Sequence, residues 1–191
     1  MRDVRMTELA KLLIEHSTAM QAGEHLLIEA FDAPDAMVIE LINACRARGA
    51  HPHVVVRSSR ILRSLVEGGD ETRFEVMGQA DLDRMKRMDA YIGLRGGFNV
   101  NEMSGVPEDR LKAWGALYGK PVHTQQRVNH TRWCVLRWPT PSMAQLAGTS
   151  TEAFENFYFD VCTLDYKAMA NAAAALQARM VATNDVHIKG P

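Results

Sequence analysis

The apolar positions of this chain alternate between two rhythms, one of three and four residues and one of short continuous runs. Met6, Leu9, Leu13 and His16 recur at helical steps and predict an amphipathic helix over residues 3–16. After Gly23 the short run at 25–30 reads as a strand. Pro34 then opens a helix with Asp35 in its first turn, an apolar stripe of Met37, Val38, Leu41, Ile42 and Cys45, and Gly49 as its stop. The β-branched run at 53–56 has the composition of a buried strand. A helical region over 58–88 follows, with breaks expected near Gly68-Gly69 and at Gly78.

The second half repeats the alternation. Residues 89–94 predict a third strand, ending in the turn Arg95-Gly96-Gly97. Pro107 starts a helix carrying Leu111, Trp114, Leu117 and Tyr118, with Gly119 at its end. Residues 132–138 form a fourth strand, and Thr140-Pro141 opens a short helix that stops at Gly148. Ser150 caps the next helix, in which Phe154, Phe157, Tyr158 and Val161 share a face. Residues 166–181 make an Ala-rich helix built on Met169, Leu176 and Met180, and 186–188 read as the start of another strand. Strands separated by helices imply βα units. The expected fold class is α/β: one doubly wound domain, a mostly parallel sheet with helices on both faces.

Composition narrows the function classes. A hydrophobic fraction of 47% in 191 residues supplies a core and excludes intrinsic disorder. Basic and acidic residues balance at 22 to 23 with no Lys/Arg run, so no nucleic-acid partner is expected. Arg57, Arg60 and Arg63 fall near helical spacing and read as a solvated face. No window approaches the ~18 apolar residues that would span a bilayer, and the first residues lack a leader's apolar stretch. Cys45, Cys134 and Cys162 lie far apart among apolar residues, as small hydrophobes in a reducing compartment. A cytoplasmic protein with no membrane contact is expected.

The search for chemistry is mostly negative. His51 and His53 share one strand face but flank a proline and lack a nearby acid. No His-Glu-x-x-His, paired-Cys or Asp-rich loop occurs, so no metal ligand is assigned. No serine sits in a Gly-x-Ser-x-Gly turn, and no cysteine adjoins a histidine. Trp133, Trp138, Phe154, Phe157 and Tyr158 fit core or interface packing better than a ligand pocket. The most suggestive segment is 95–101, because ligands of open α/β sheets bind beyond strand carboxyl ends. Its two glycines and Arg95 suit an anion, although a lone Gly-Gly is more simply a tight turn.

Several stretches together resemble the two-domain metal-dependent aminopeptidases of the aminopeptidase T, aminopeptidase S and PepS type. The most specific is Thr131-Arg132-Trp133, followed by Trp138-Pro139-Thr140-Pro141-Ser142-Met143-Ala144-Gln145-Leu146-Ala147-Gly148 and the acidic-aromatic run of Glu152, Phe154, Glu155, Phe157 and Phe159. Gly49-Ala50-His51-Pro52-His53-Val54 and Asn99-Val100-Asn101-Glu102-Met103-Ser104-Gly105-Val106 support it in order and spacing. Thr149, where a larger apolar residue is expected, and the Ala-rich helix depart from the pattern.

The resemblance implies that residues 1–191 are an N-terminal α/β domain, inactive alone. The catalytic C-terminal domain, absent from this chain, would hold two divalent metal ions of the zinc, cobalt or manganese class. Peptide substrate, that C-terminal domain and a second copy in a homodimer are the implied partners. No catalytic residue carries over; Arg95, Asn99 and Asn101 are the candidates for substrate contact. The alternatives are a free-standing module binding a small anion at 95–101, and a non-enzymatic interaction domain.

Overall fold

A computed structural model describes residues 3–190. The Asp3 carboxylate caps helix α1 (Val4–Leu12) by accepting the Arg5 N–H at 3.0 Å, and wider π-type turns continue it over Leu13–Ser17. There follow β1 (His25–Phe31), α2 (Asp35–Ala47), β2 (His51–Arg57), α3 (Ser59–Glu67), α4 (Glu71–Met85) and β3 (Ala90–Arg95). The second half contains α5 (Glu108–Trp114), π-type turns over Gly115–Arg127, α6 (Val128–His130), β4 (Arg132–Arg137), α7 (Pro141–Leu146), α8 (Thr151–Cys162) and α9 (Tyr166–Val181).

The four strands are all parallel, in the order β2-β1-β3-β4. Side chains alternate between the faces, so Leu26, Ile28 and Ala30 of β1 point one way and Leu27 and Glu29 the other. The first face joins Ile92 and Leu94 to Leu9 and Ile14, Met37 and Leu41 of α2, and Tyr158 and Phe159 of α8. The second packs Leu27 and Tyr91 against Met85, Tyr118 and Val122. Each fully buried large side chain contributes about 1.5–3 kcal/mol. Both layers are needed, because β1 and β3 are buried on both sides. The α/β class and helices on both faces are as expected.

Four local expectations are corrected. The 53–56 run is an edge strand, and Val54 and Val56 are exposed. β-branched residues favour the pleat whether or not a helix covers it. Gly78 does not break α4; an added Cβ there would lie 2.3 Å from the Leu117 carbonyl oxygen, so Gly78 is where two helix backbones touch. Gly119 does not end its helix, because wider turns carry the backbone past it and past Pro121, whose missing N–H an α-helical ladder would require. Residues 186–188 pair with no strand among the described residues, and Val186 and Ile188 are exposed.

Gly78→Ala tests the second correction. Helix propensity alone favours Ala by about 1 kcal/mol, but overpacking against a backbone oxygen costs about 1–3 kcal/mol. Net destabilisation is expected in a urea titration, and a stabilised variant would show that the helices separate freely. The expected core stripe of α9 is also absent: the helix has no buried residue, and Met169, Leu176 and Met180 are exposed. Among the described residues no helix is long and apolar enough to cross a membrane.

Candidate functional site at the carboxyl ends of the strands

The parallel register sets Arg57, Phe31, Arg95 and Arg137 in one row across the carboxyl edge of the sheet. Equal register puts them on one face, and Glu29 lies two residues below Phe31 on that same face. Arg57 donates from Nε to Glu29 Oε1 at 2.7 Å, and Arg95 donates from Nη2 to Oε2 at 2.8 Å. The Tyr91 hydroxyl donates to Oε2 at 2.5 Å. Arg57 also pairs with Asp81 of α4, whose carboxylate accepts the Tyr118 hydroxyl at 2.8 Å.

Burial alone would raise the Glu29 carboxyl, but the Arg95 charge, the Tyr91 hydrogen bond and Arg57 outweigh it and hold it at about 2. Burial, then the Glu29 charge, pushes both Tyr91 and Tyr118 upward, so both are neutral donors. Burial likewise lowers His123 to about 4, so its imidazole is neutral at physiological pH. Arg127 lies over the rings of Tyr91 and Trp133, at 5.1 and 4.6 Å from their centroids. Its Nε and Nη1, and His123 Nδ1, are buried without a hydrogen-bond partner.

Openings lie along this rim on both faces of the sheet. A cleft of about 190 Å³ is lined by Arg95, Asn99, Glu102, Arg137 and Ser142. A cavity of about 220 Å³ lies on the other side of Arg95, between Arg57, Trp114, Tyr118 and His123. On the opposite sheet face a groove of about 510 Å³ runs between Met6, Pro34, Phe98, Trp138 and Phe159.

Arg95 and Asn99 thus reach one cleft, and Asn101 does not line it. Asn101 acts on its neighbour: its N–H donates to Asn99 Oδ1 at 3.0 Å. The Gly96 N–H donates to the Phe31 carbonyl at 2.8 Å and is not free for an anion. A Cβ at Gly96 would fall 2.4 Å from the Asp32 carbonyl oxygen, which is why glycine stands there. Ser142 Oγ fixes the turn by donating to the Gly97 carbonyl at 2.7 Å.

The pattern alone did not single out Glu29, Asp81, Tyr91, Tyr118, His123 or Arg127. One signal was available, a lone acid inside the apolar run at 25–30. Arg57 belongs to the end of β2 and the buried network, not to a solvated helix face with Arg60 and Arg63.

The described residues do not fit a metal centre. His25 Nδ1 and His53 Nε2 lie 2.9 Å apart and hydrogen-bond each other at the amino end of the sheet, with the His51 ring 5.0 Å from that of His25. No group of three or more His, Cys, Asp or Glu side chains among the described residues could hold a metal ion. The thiols offer no nucleophile either, since burial pushes Cys45 up to about 11 and raises Cys134 and Cys162.

Across residues 2–187 the sequence matches the model of the thermophilic metalloprotease family M29. The chain belongs to the M29 family. Among solved structures, this M29 chain is similar to wild-type AmpT from Thermus thermophilus, at 16% identity and a TM-score of 0.70. The likeness covers 93% of this chain and 49% of that one, so the chain spans about half the length of that relative. At this identity it shows a shared fold. An alcohol dehydrogenase superfamily protein from Novosphingobium aromaticivorans matches at 15% identity over 96% of this chain and 59% of that one, but its TM-score of 0.34 carries no argument. No curated protein matches the M29 chain.

Proposed function

We propose that this M29 chain is the N-terminal, non-metal-binding domain of an aminopeptidase that releases N-terminal residues from peptides. It walls the substrate cavity and aids assembly, and the metal ions sit outside residues 3–190. One observation carries the reading: a metallopeptidase family match over 2–187 in which the described residues offer no group able to hold a metal. The exposed apolar side chains of Phe157, Leu164, Met169, Leu176 and Met180 support packing of α8 and α9 against the rest of the enzyme.

At the rim, Arg95 is pinned by Glu29 and by the Phe31 ring 4.5 Å below its guanidinium carbon, so its charge is held in place for a peptide carboxylate or carbonyl. Asn99 has its Oδ1 fixed by Asn101, leaving the amide N–H groups to donate to a peptide carbonyl. One such bond contributes about 0.5–1.5 kcal/mol. Asn99→Ala in the complete enzyme is therefore expected to raise KM about two- to tenfold, with kcat and melting temperature unchanged. An unchanged KM would remove Asn99 from the substrate path.

A further inference from the structure

We propose that the cavity beside Arg95 is a binding site for a small organic carboxylate that carries a flat apolar group. Its volume of about 220 Å³ gives room for a single small organic molecule. Arg57 and Arg95 line it, and no acidic side chain does. Glu29 and Asp81 hold the two guanidiniums from behind and leave part of each fork open: Arg57 Nη1 and Arg95 Nε take no partner among the described residues. Two fixed guanidinium donors facing one space suit a carboxylate, which can accept from both. Their positions cost no ordering on binding, because the ion pairs already hold them.

The other walls set the body of the ligand. The Trp114 and Tyr118 rings stack with centroids 4.0 Å apart, and Phe31 lies beneath Arg95. His123 closes one side, neutral at physiological pH. An aromatic or branched carboxylic acid satisfies charge and surface together. Inorganic phosphate satisfies only the charge, and an aromatic amine meets two like charges. The cavity adjoins the 190 Å³ cleft that holds Asn99, with Leu62 and Arg95 lining both, and its assignment does not depend on the peptidase reading.

Gly119 allows a clean test. It lines the cavity, and a Cβ there would meet nothing within 4 Å, so Gly119→Leu is the occluding variant, and its melting temperature without ligand checks that the fold is kept. Thermal unfolding of the 191-residue chain would be followed with phenylacetate, benzylamine or inorganic phosphate. Phenylacetate at a hundredfold excess over its Kd is expected to raise the melting temperature by on the order of 5 °C. Benzylamine and phosphate should give no comparable rise, and Gly119→Leu should abolish the phenylacetate effect. Arg95→Lys, which keeps the charge for Glu29 but loses the planar fork, should weaken phenylacetate at least about tenfold. The assignment is overturned by no shift with phenylacetate, by equal shifts with benzylamine or phosphate, or by full binding in Gly119→Leu or Arg95→Lys.

Discussion

Glu29→Leu is expected to lower the unfolding free energy by about 3–5 kcal/mol, the largest effect of any single substitution considered. The carboxylate is buried and takes Arg57, Arg95 and Tyr91 together. Leucine is similar in size, so packing alone would be nearly preserved. What it removes is the carboxylate that Arg57 and Arg95 share: Arg57 keeps Asp81, and the mostly buried Arg95 is left without a countercharge among the described residues. Breaking a buried pair from one side leaves an uncompensated charge, which costs about that much. Glu29→Gln keeps an acceptor but loses the charge, and its effect should fall between wild type and Glu29→Leu. Urea midpoints near pH 7 give the comparison. A loss below about 1 kcal/mol for Glu29→Leu would mean that solvent or rearrangement already neutralises the two arginines.

Acidification should destabilise the fold in two successive windows. The folded-state value of His123 lies near 4, against 6.5 for the free side chain, so the unfolded chain binds this proton more readily. Stability from a neutral His123 is present above about 6.5 and is lost as pH falls through about 4. Glu29 is held at about 2 against 4.5, and its contribution is present above 4.5 and is lost as pH falls through about 2. Each shift corresponds to roughly 3 kcal/mol, and the His123 value already includes the attraction of the Glu29 carboxylate beside it. Unfolding free energy should therefore decline steadily from pH 6.5 downward. His123→Gln should flatten the upper window and narrow the lower one, because the charged imidazole helps to lower Glu29. A wild-type profile that is level between pH 6.5 and 4 would show that His123 charges without penalty.

Strands were legible where an apolar run met a glycine or proline boundary, as at 25–30 and 89–94. Local pattern could not rank them in the sheet. Val54 and Val56 have the composition of a central strand, and only pairing on one side makes β2 an edge. Gly78 shows the same limit: a helix breaker and a helix contact are one residue type, and Leu117 opposite it is what separates them.

The candidate site divides in the same way. Arg95 and Asn99 were singled out because they stand at and beyond the carboxyl end of a strand, where ligands of such sheets bind. Glu29 is one acid among apolar neighbours, and its meaning depends on register. Only when β1, β2 and β3 align do Arg57 and Arg95 end level with Phe31, above the Glu29 carboxylate. The apolar stripe of α9 was visible, but periodicity does not say whether anything covers it.

The most direct test of the central claim is release of leucine from a chromogenic leucyl substrate, with zinc, cobalt or manganese supplied. The 191-residue chain would be measured beside the longest natural polypeptide that contains it, with bound metal determined in both. The account predicts metal-dependent turnover in the longer polypeptide, and neither turnover nor stoichiometric metal in the 191-residue chain. Metal-dependent turnover by the 191 residues alone, or none by the longer polypeptide with any of the three metals, would contradict it.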